Sequence, residues 1–146
     1  MQPEPDKFAA LIDTARALDA AGVRYALIGG LAVGIHAGLP RATIDVDVAA
    51  HLGAGREAAV KALERAGLQK TGEFEHSVNF RHATGEPVQL AFDAGFDAMI
   101  ERAECVPVAG TRIMIVRKED LIAMKQRAAA DPARRKSKRL RDQADI

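Results

Sequence analysis

The chain predicts an α+β fold: a mixed sheet of about four to five strands with helices mainly on one face. Three observations point there. Apolar segments of helical period are interleaved with short strand-like runs. Aromatic residues make up only 4% of the chain and Trp is absent, so the core must come from Ala, Leu, Ile and Val, which argues against a small all-β module. The 146 residues, 48% hydrophobic and 28% charged, suit a single domain.

Taken in order, Phe8, Leu11, Ile12, Ala15 and Leu18 recur at helical spacing after Asp6, which can cap, and Gly22 ends the run. Residues 23–28 read as a buried strand stopped by Gly29-Gly30, and a short helix over 31–37 is closed by Gly38-Leu39-Pro40. Residues 44–48 alternate strictly between apolar and carboxylate side chains, the pattern of a second strand. A helix over 56–66 ends at Gly67. Strands over 77–82 and 88–92 are joined through Thr84-Gly85-Glu86-Pro87, and a short helix covers 96–102. Residues 106–108 and 112–116 flank Ala109-Gly110 as a hairpin or strand pair, and a helix over 119–129 follows. Asp131-Pro132 interrupts that helical pattern, which divides the chain into a domain at 1–130 and a basic helical extension at 131–146.

Charge is unevenly spread. Residues 125–146 carry eight Lys or Arg against three Asp, so this segment can attract phosphates while the rest of the chain is net acidic; a solvated terminal helix is the plainer alternative. The start, Met1-Gln2-Pro3-Glu4-Pro5-Asp6, is unlike a signal peptide, and no apolar run nears the roughly 20 residues of a membrane span, so a cytoplasmic protein without a membrane partner is expected. One cysteine, Cys105, and four scattered histidines lack the spacing of a transition-metal site.

The sharpest chemistry lies at Asp45 and Asp47. In a strand, residues i and i+2 share a face about 6.6 Å apart, so two like charges project together. A hard cation such as Mg²⁺, completed by water and substrate phosphate, is the usual compensation, although a solvent-facing edge strand alternates in the same way. Upstream, Gly29-Gly30 ends a strand and opens a helix, where bare N–H groups can hold a phosphate; a tight turn alone also needs such glycines. Arg41 and Thr43 supply a cation and a hydroxyl just before the second strand. In that order, phosphate cradle, cation and carboxylates make up a triphosphate site.

The run Tyr25-Ala-Leu-Ile-Gly-Gly-Leu-Ala-Val, followed by Arg41-Ala-Thr-Ile-Asp-Val-Asp-Val, resembles the polymerase-β-like nucleotidyltransferase superfamily, and within it the AbiEii-like branch that includes toxins of toxin–antitoxin pairs. Glu119-Asp120-Leu-Ile-Ala-Met-Lys125 and Arg139-Leu-Arg-Asp142-Gln-Ala-Asp145-Ile are similar to later motifs of that branch. The resemblance implies an Mg²⁺-dependent enzyme that moves a nucleoside monophosphate from NTP to an acceptor hydroxyl. It puts Gly29, Gly30, Arg41, Thr43 and Lys125 around the nucleotide, and Asp45 and Asp47 on the metal. The basic tail favours RNA, specifically a tRNA end, as acceptor, with a protein or small-molecule hydroxyl as alternatives; a cognate antitoxin is a further expected partner. The family places a third Asp on a neighbouring strand, where this chain has Gln89 within Val88-Gln-Leu-Ala-Phe92. Asp93 is the nearest acid on that stretch, about 13 Å along. An amide cannot act as a base, so a degenerate nucleotide-binding or partner-binding member is the alternative reading.

Overall fold

Helix α1 (Lys7–Ala20) begins where the Asp6 carboxylate accepts from the N–H groups of Phe8 and Ala9 at 3.1 and 3.0 Å, the cap its sequence predicts. It ends as Val23 N–H returns to the Leu18 carbonyl at 2.9 Å. The computed structural model describes residues 6–38 and 45–130, with the backbone alone at residues 125 and 127–130. After α1 come strand β1 (Tyr25–Ile28), helix α2 (Gly29–Ala37), β2 (Val46–Ala50), α3 (Arg56–Arg65), β3 (Gln69–Glu73), β4 (Ser77–Arg81), β5 (Pro87–Ala91), α4 (Ala94–Glu101), β6 (Glu104–Val108), β7 (Thr111–Ile115) and α5 (Lys118–Ala130).

The strands form one mixed sheet in the order β3-β4-β5-β2-β1-β7-β6. β1 runs antiparallel to β2 and parallel to β7, and β2 runs parallel to β5. The sheet therefore has seven strands among the described residues, not the expected four to five. The strand missing from the sequence reading is β3: its residues, Gln-Lys-Thr-Gly-Glu, are almost all exposed at the sheet edge and carry no apolar alternation. The second strand also lies two residues later than read, and α2 starts at Gly29 itself. The proposed extension at 131–146 lies outside the described residues.

β1 is covered on both faces and β2 along most of its length, as their runs of small and branched apolar residues require, but Asp47 near the start of β2 is only half-buried, where the face opens. β4 and β5 have one covered face, where Val78, Phe80, Val88 and Leu90 are buried, and one open face. Leu11, Leu18, Leu27, Leu31, Leu63, Ile113 and Ile115 complete the core with the side chains of that covered face. Each such burial contributes about 1.5–3 kcal/mol; aliphatic side chains make up most of the core, but the few aromatics are not excluded from it, since Tyr25, Phe80 and Phe92 are buried there too. The loop between β4 and β5 is tied to α1: the Thr84 hydroxyl accepts from Asp6 N–H at 3.2 Å, and His82 Nε2 meets Asp13 Oδ2 at 2.6 Å. That tie fixes β5 relative to the central strands.

Candidate active site

One row of residues crosses five strands in register. Ile28 of β1 pairs with Asp47 of β2, Asp47 with Gln89 of β5, Gln89 with Asn79 of β4, and Asn79 with Gly72 of β3. Directly paired residues share a face, so the side chains of Asp47, Gln89 and Asn79 stand side by side at strand spacings of about 4.8 Å. Asp45, exposed, stands one residue before β2 and lines a cleft together with Asn79 and Gln89.

On the other side of Asp47 lies the start of α2. Gly29 has φ +75°, and a Cβ there would fall 2.6 Å from Asp47 Oδ2, so only glycine fits both the backbone and the space. Ile28 gives α2 no side-chain cap, and Gly30 follows in the first turn, which leaves the N–H groups and the positive end of the helix dipole beside the carboxylate. His36 holds the far end of α2 in place, its Nε2–H donating to the Val116 carbonyl at 2.8 Å beyond β7. That anchor carried no signal in sequence, because it depends on two segments meeting across the fold.

The donor chemistry suits a hard cation. Among the described residues no group of three or more His, Cys, Asp or Glu could hold a metal ion, so a cation here would have to be completed by ligands from outside the chain. Two aspartates on an open face, with glycine backbone rather than a side chain against one of them, match the way Mg²⁺ is held by one or two carboxylates and completed by phosphate oxygens and water.

A cleft of about 180 Å³ opens beside the pair, lined by Asp45, Thr71, Asn79, Arg81, Pro87 and Gln89. Asn79 Oδ1 is buried and has no hydrogen-bond partner among the described residues. The sequence reading missed Thr71, Asn79 and Arg81; the only available signal was the alternation of polar Ser77, Asn79 and Arg81 with apolar Val78 and Phe80. Gln89 is brought beside Asp47, whereas Asp93 is not. Asp93 lies past the end of β5 and caps α4, its Oδ1 accepting from Gly95 N–H at 2.8 Å. Lys125 belongs to α5, which packs on α2. Its side chain, like Arg41, Thr43, Asp142 and Asp145, lies outside what the structure describes.

Residues 11–146 match the family described as "Nucleotidyl transferase AbiEii toxin, Type IV TA system". The chain matches no curated protein. Among solved structures it is similar to the lincosamide antibiotic adenylyltransferase LnuA in its lincomycin-bound form, with a TM-score of 0.65 and 12% identity over 99% of this chain and 97% of that one. ANT(2")-Ia in complex with adenylyl-2"-tobramycin aligns with a TM-score of 0.63 and 17% identity over 94% and 86% of the two chains. An antigenic nucleotidyltransferase-like protein from Paracoccidioides brasiliensis gives 0.60 and 18% over 99% and 77%. At these identities the likeness is one of fold.

Proposed function

Because the chain belongs to the AbiEii nucleotidyltransferase toxin family, we propose that it transfers a nucleoside monophosphate from an NTP to an acceptor hydroxyl, using Mg²⁺ held by Asp45 and Asp47. The observation that carries this reading is the contact between Gly29 and Asp47. A side-chain-free helix start and a carboxylate pair share one spot on an open sheet face, the combination a metal-bound triphosphate needs.

The residues divide the work. The N–H groups at Gly29 and Gly30 receive phosphate oxygens, and Lys125 and Arg41 add cations toward the same group. Asp45 and Asp47 would hold the metal next to the α-phosphate. Mg²⁺, when bound, offsets the charge that builds on the phosphate oxygens. The acceptor oxygen bonds to the α-phosphorus as the bridging bond to pyrophosphate breaks. The acceptor proton leaves to a carboxylate or to water, since the Gln89 amide does not take it. RNA is the acceptor we favour, on the basic composition of residues 125–146, and a cognate antitoxin follows from the family. The Gln89–Asp47 pairing favours a second reading, a member that binds nucleotide without turnover.

The test is thermal unfolding of the parent and the Asp45→Asn/Asp47→Asn variant with each NTP, with and without Mg²⁺. The parent gains stability only when both are present, and the variant gains none. Equal stabilisation of the variant places the site elsewhere. Label transferred from NTP to RNA by the parent then separates the enzyme from the binder.

A further inference from the structure

On the open face, the two sides of Asp47 are unlike. The start of α2 lies on one side, and the row of Gln89, Asn79 and Gly72 extends on the other. A displacement at phosphorus puts the attacking and leaving oxygens on opposite sides. With pyrophosphate leaving over Gly29 and Gly30, the acceptor must lie over β5, β4 and β3. This step rests on the nucleotidyltransferase reading above.

That ground ends at Phe74. Its side chain is 57% exposed, and its ring lies on the same face as Asn79, where a Cβ on Gly72 would come 3.1 Å from Phe74 Cε2. A large apolar ring left mostly in water stabilises the fold little, yet its backbone is held firmly. Phe74 N–H donates to the Ser77 carbonyl at 2.8 Å. Arg56, at the start of α3, donates to the carbonyls of Phe74, of Glu75 at 2.6 Å and of Ser77 at 3.4 Å. One guanidinium thus spans the whole β3–β4 turn and presents the ring in a fixed place, which lowers the ordering cost of a contact.

Between ring and carboxylates lie the amides of Asn79 and Gln89, Asn79 Nδ2 coming 3.9 Å from the same Cβ position on Gly72, while Arg81 stands two residues along β4 from Asn79 on the side away from the turn. Among the described residues Asp45 is the only acid lining this cleft, so a polycationic acceptor finds little there to hold it. Nucleotides are met by this set: an aromatic face for a base, amides for base edges, a cation for phosphate. We infer that Phe74 is a stacking platform for a base near the 3′ end of a single-stranded RNA acceptor, and that Asn79 reads that base. From Asp47 to Gly72 is three strand spacings, about 14 Å, within reach of the last nucleotides of one strand.

The test measures binding of 5′-fluorescein single-stranded RNA with a free 3′ hydroxyl, in the absence of NTP, by anisotropy. Phe74→Leu keeps an apolar cover over Gly72 and removes the ring face; it should weaken binding on the order of ten- to a hundredfold, with the salt slope unchanged because no charge is lost. Phe74→Trp should restore parental affinity, and Asn79→Leu should alter the ranking of oligo(A), oligo(C) and oligo(U). Phe74→Leu binding as tightly as the parent overturns the proposal. So does a parent that binds no RNA, or that labels only protein or antibiotic. Stabilisation by Mg²⁺ and NTP, measured on every variant, checks folding and separates the two readings: its loss in the parent defeats the nucleotidyltransferase reading, whereas its presence without RNA binding defeats only the platform.

Discussion

At position 89 an amide stands beside Asp47 across one strand spacing, and it differs from a carboxylate mainly in lacking a charge and a site for a proton. Binding of one Mg²⁺–NTP needs neither; removal of the acceptor proton does. Gln89→Asp should therefore raise nucleotide transfer, within the order of 10²–10⁴-fold that a positioned base contributes, with little change in NTP affinity. Asp93→Asn should change neither, because asparagine also caps the helix that Asp93 opens. The opposite pattern in a labelled-NTP transfer assay would make Asp93 the third carboxylate. At this scale Asp47 was legible from its alternation along β2 and from the glycine that meets it, whereas Asp45 stands one residue before the strand rather than on it. Phe74, Asn79 and Arg56 were not legible, because each acquires its place from a partner on another element.

Elements whose pattern is local were read well, and those defined by pairing were not. α1 shows its cap and its end in sequence. β3 does not, since an edge strand of exposed polar residues has no period to detect and pairs only because β4 lies beside it. The β6–β7 hairpin combines both cases. Ala109-Gly110 marks the turn, and Val108 pairs with Thr111 across it, but both central residues have positive φ, 49° at Ala109 and 81° at Gly110. That is the pattern of a type I′ turn, which suits Asn-Gly, whereas alanine in the left-handed region costs roughly 1–2 kcal/mol. Ala109→Asn should recover about half of that and raise the unfolding temperature by roughly 2–4 °C in a thermal melt. A lower melting temperature would show that the turn is held in another conformation in solution.

The whole molecule depends on assembly that no segment encodes alone. The parallel pairings of β2 with β5 and of β1 with β7 join strands far apart in sequence, and the ties from α1 to the β4–β5 loop lock that arrangement around the aliphatic core. Tyr25 reports on its integrity. It is the chain's one tyrosine, there is no Trp, and the side chain is 2% exposed at the start of β1. Burial pushes its phenol up to about 12, against the opposing effect of the hydrogen bond it accepts from Met114 N–H at 3.2 Å. A folded-state value raised above the unfolded one means that this contribution to stability is fully present below the unfolded value of about 10 and is lost as pH rises through the folded value. Absorbance at 295 nm should therefore stay flat through pH 10, and phenolate should form close to pH 12 together with loss of the far-ultraviolet dichroism. Phenolate formed near pH 10 with the dichroism intact would mean that the ring reaches water in the folded state, and that β1 is not sealed at the end opposite the carboxylates.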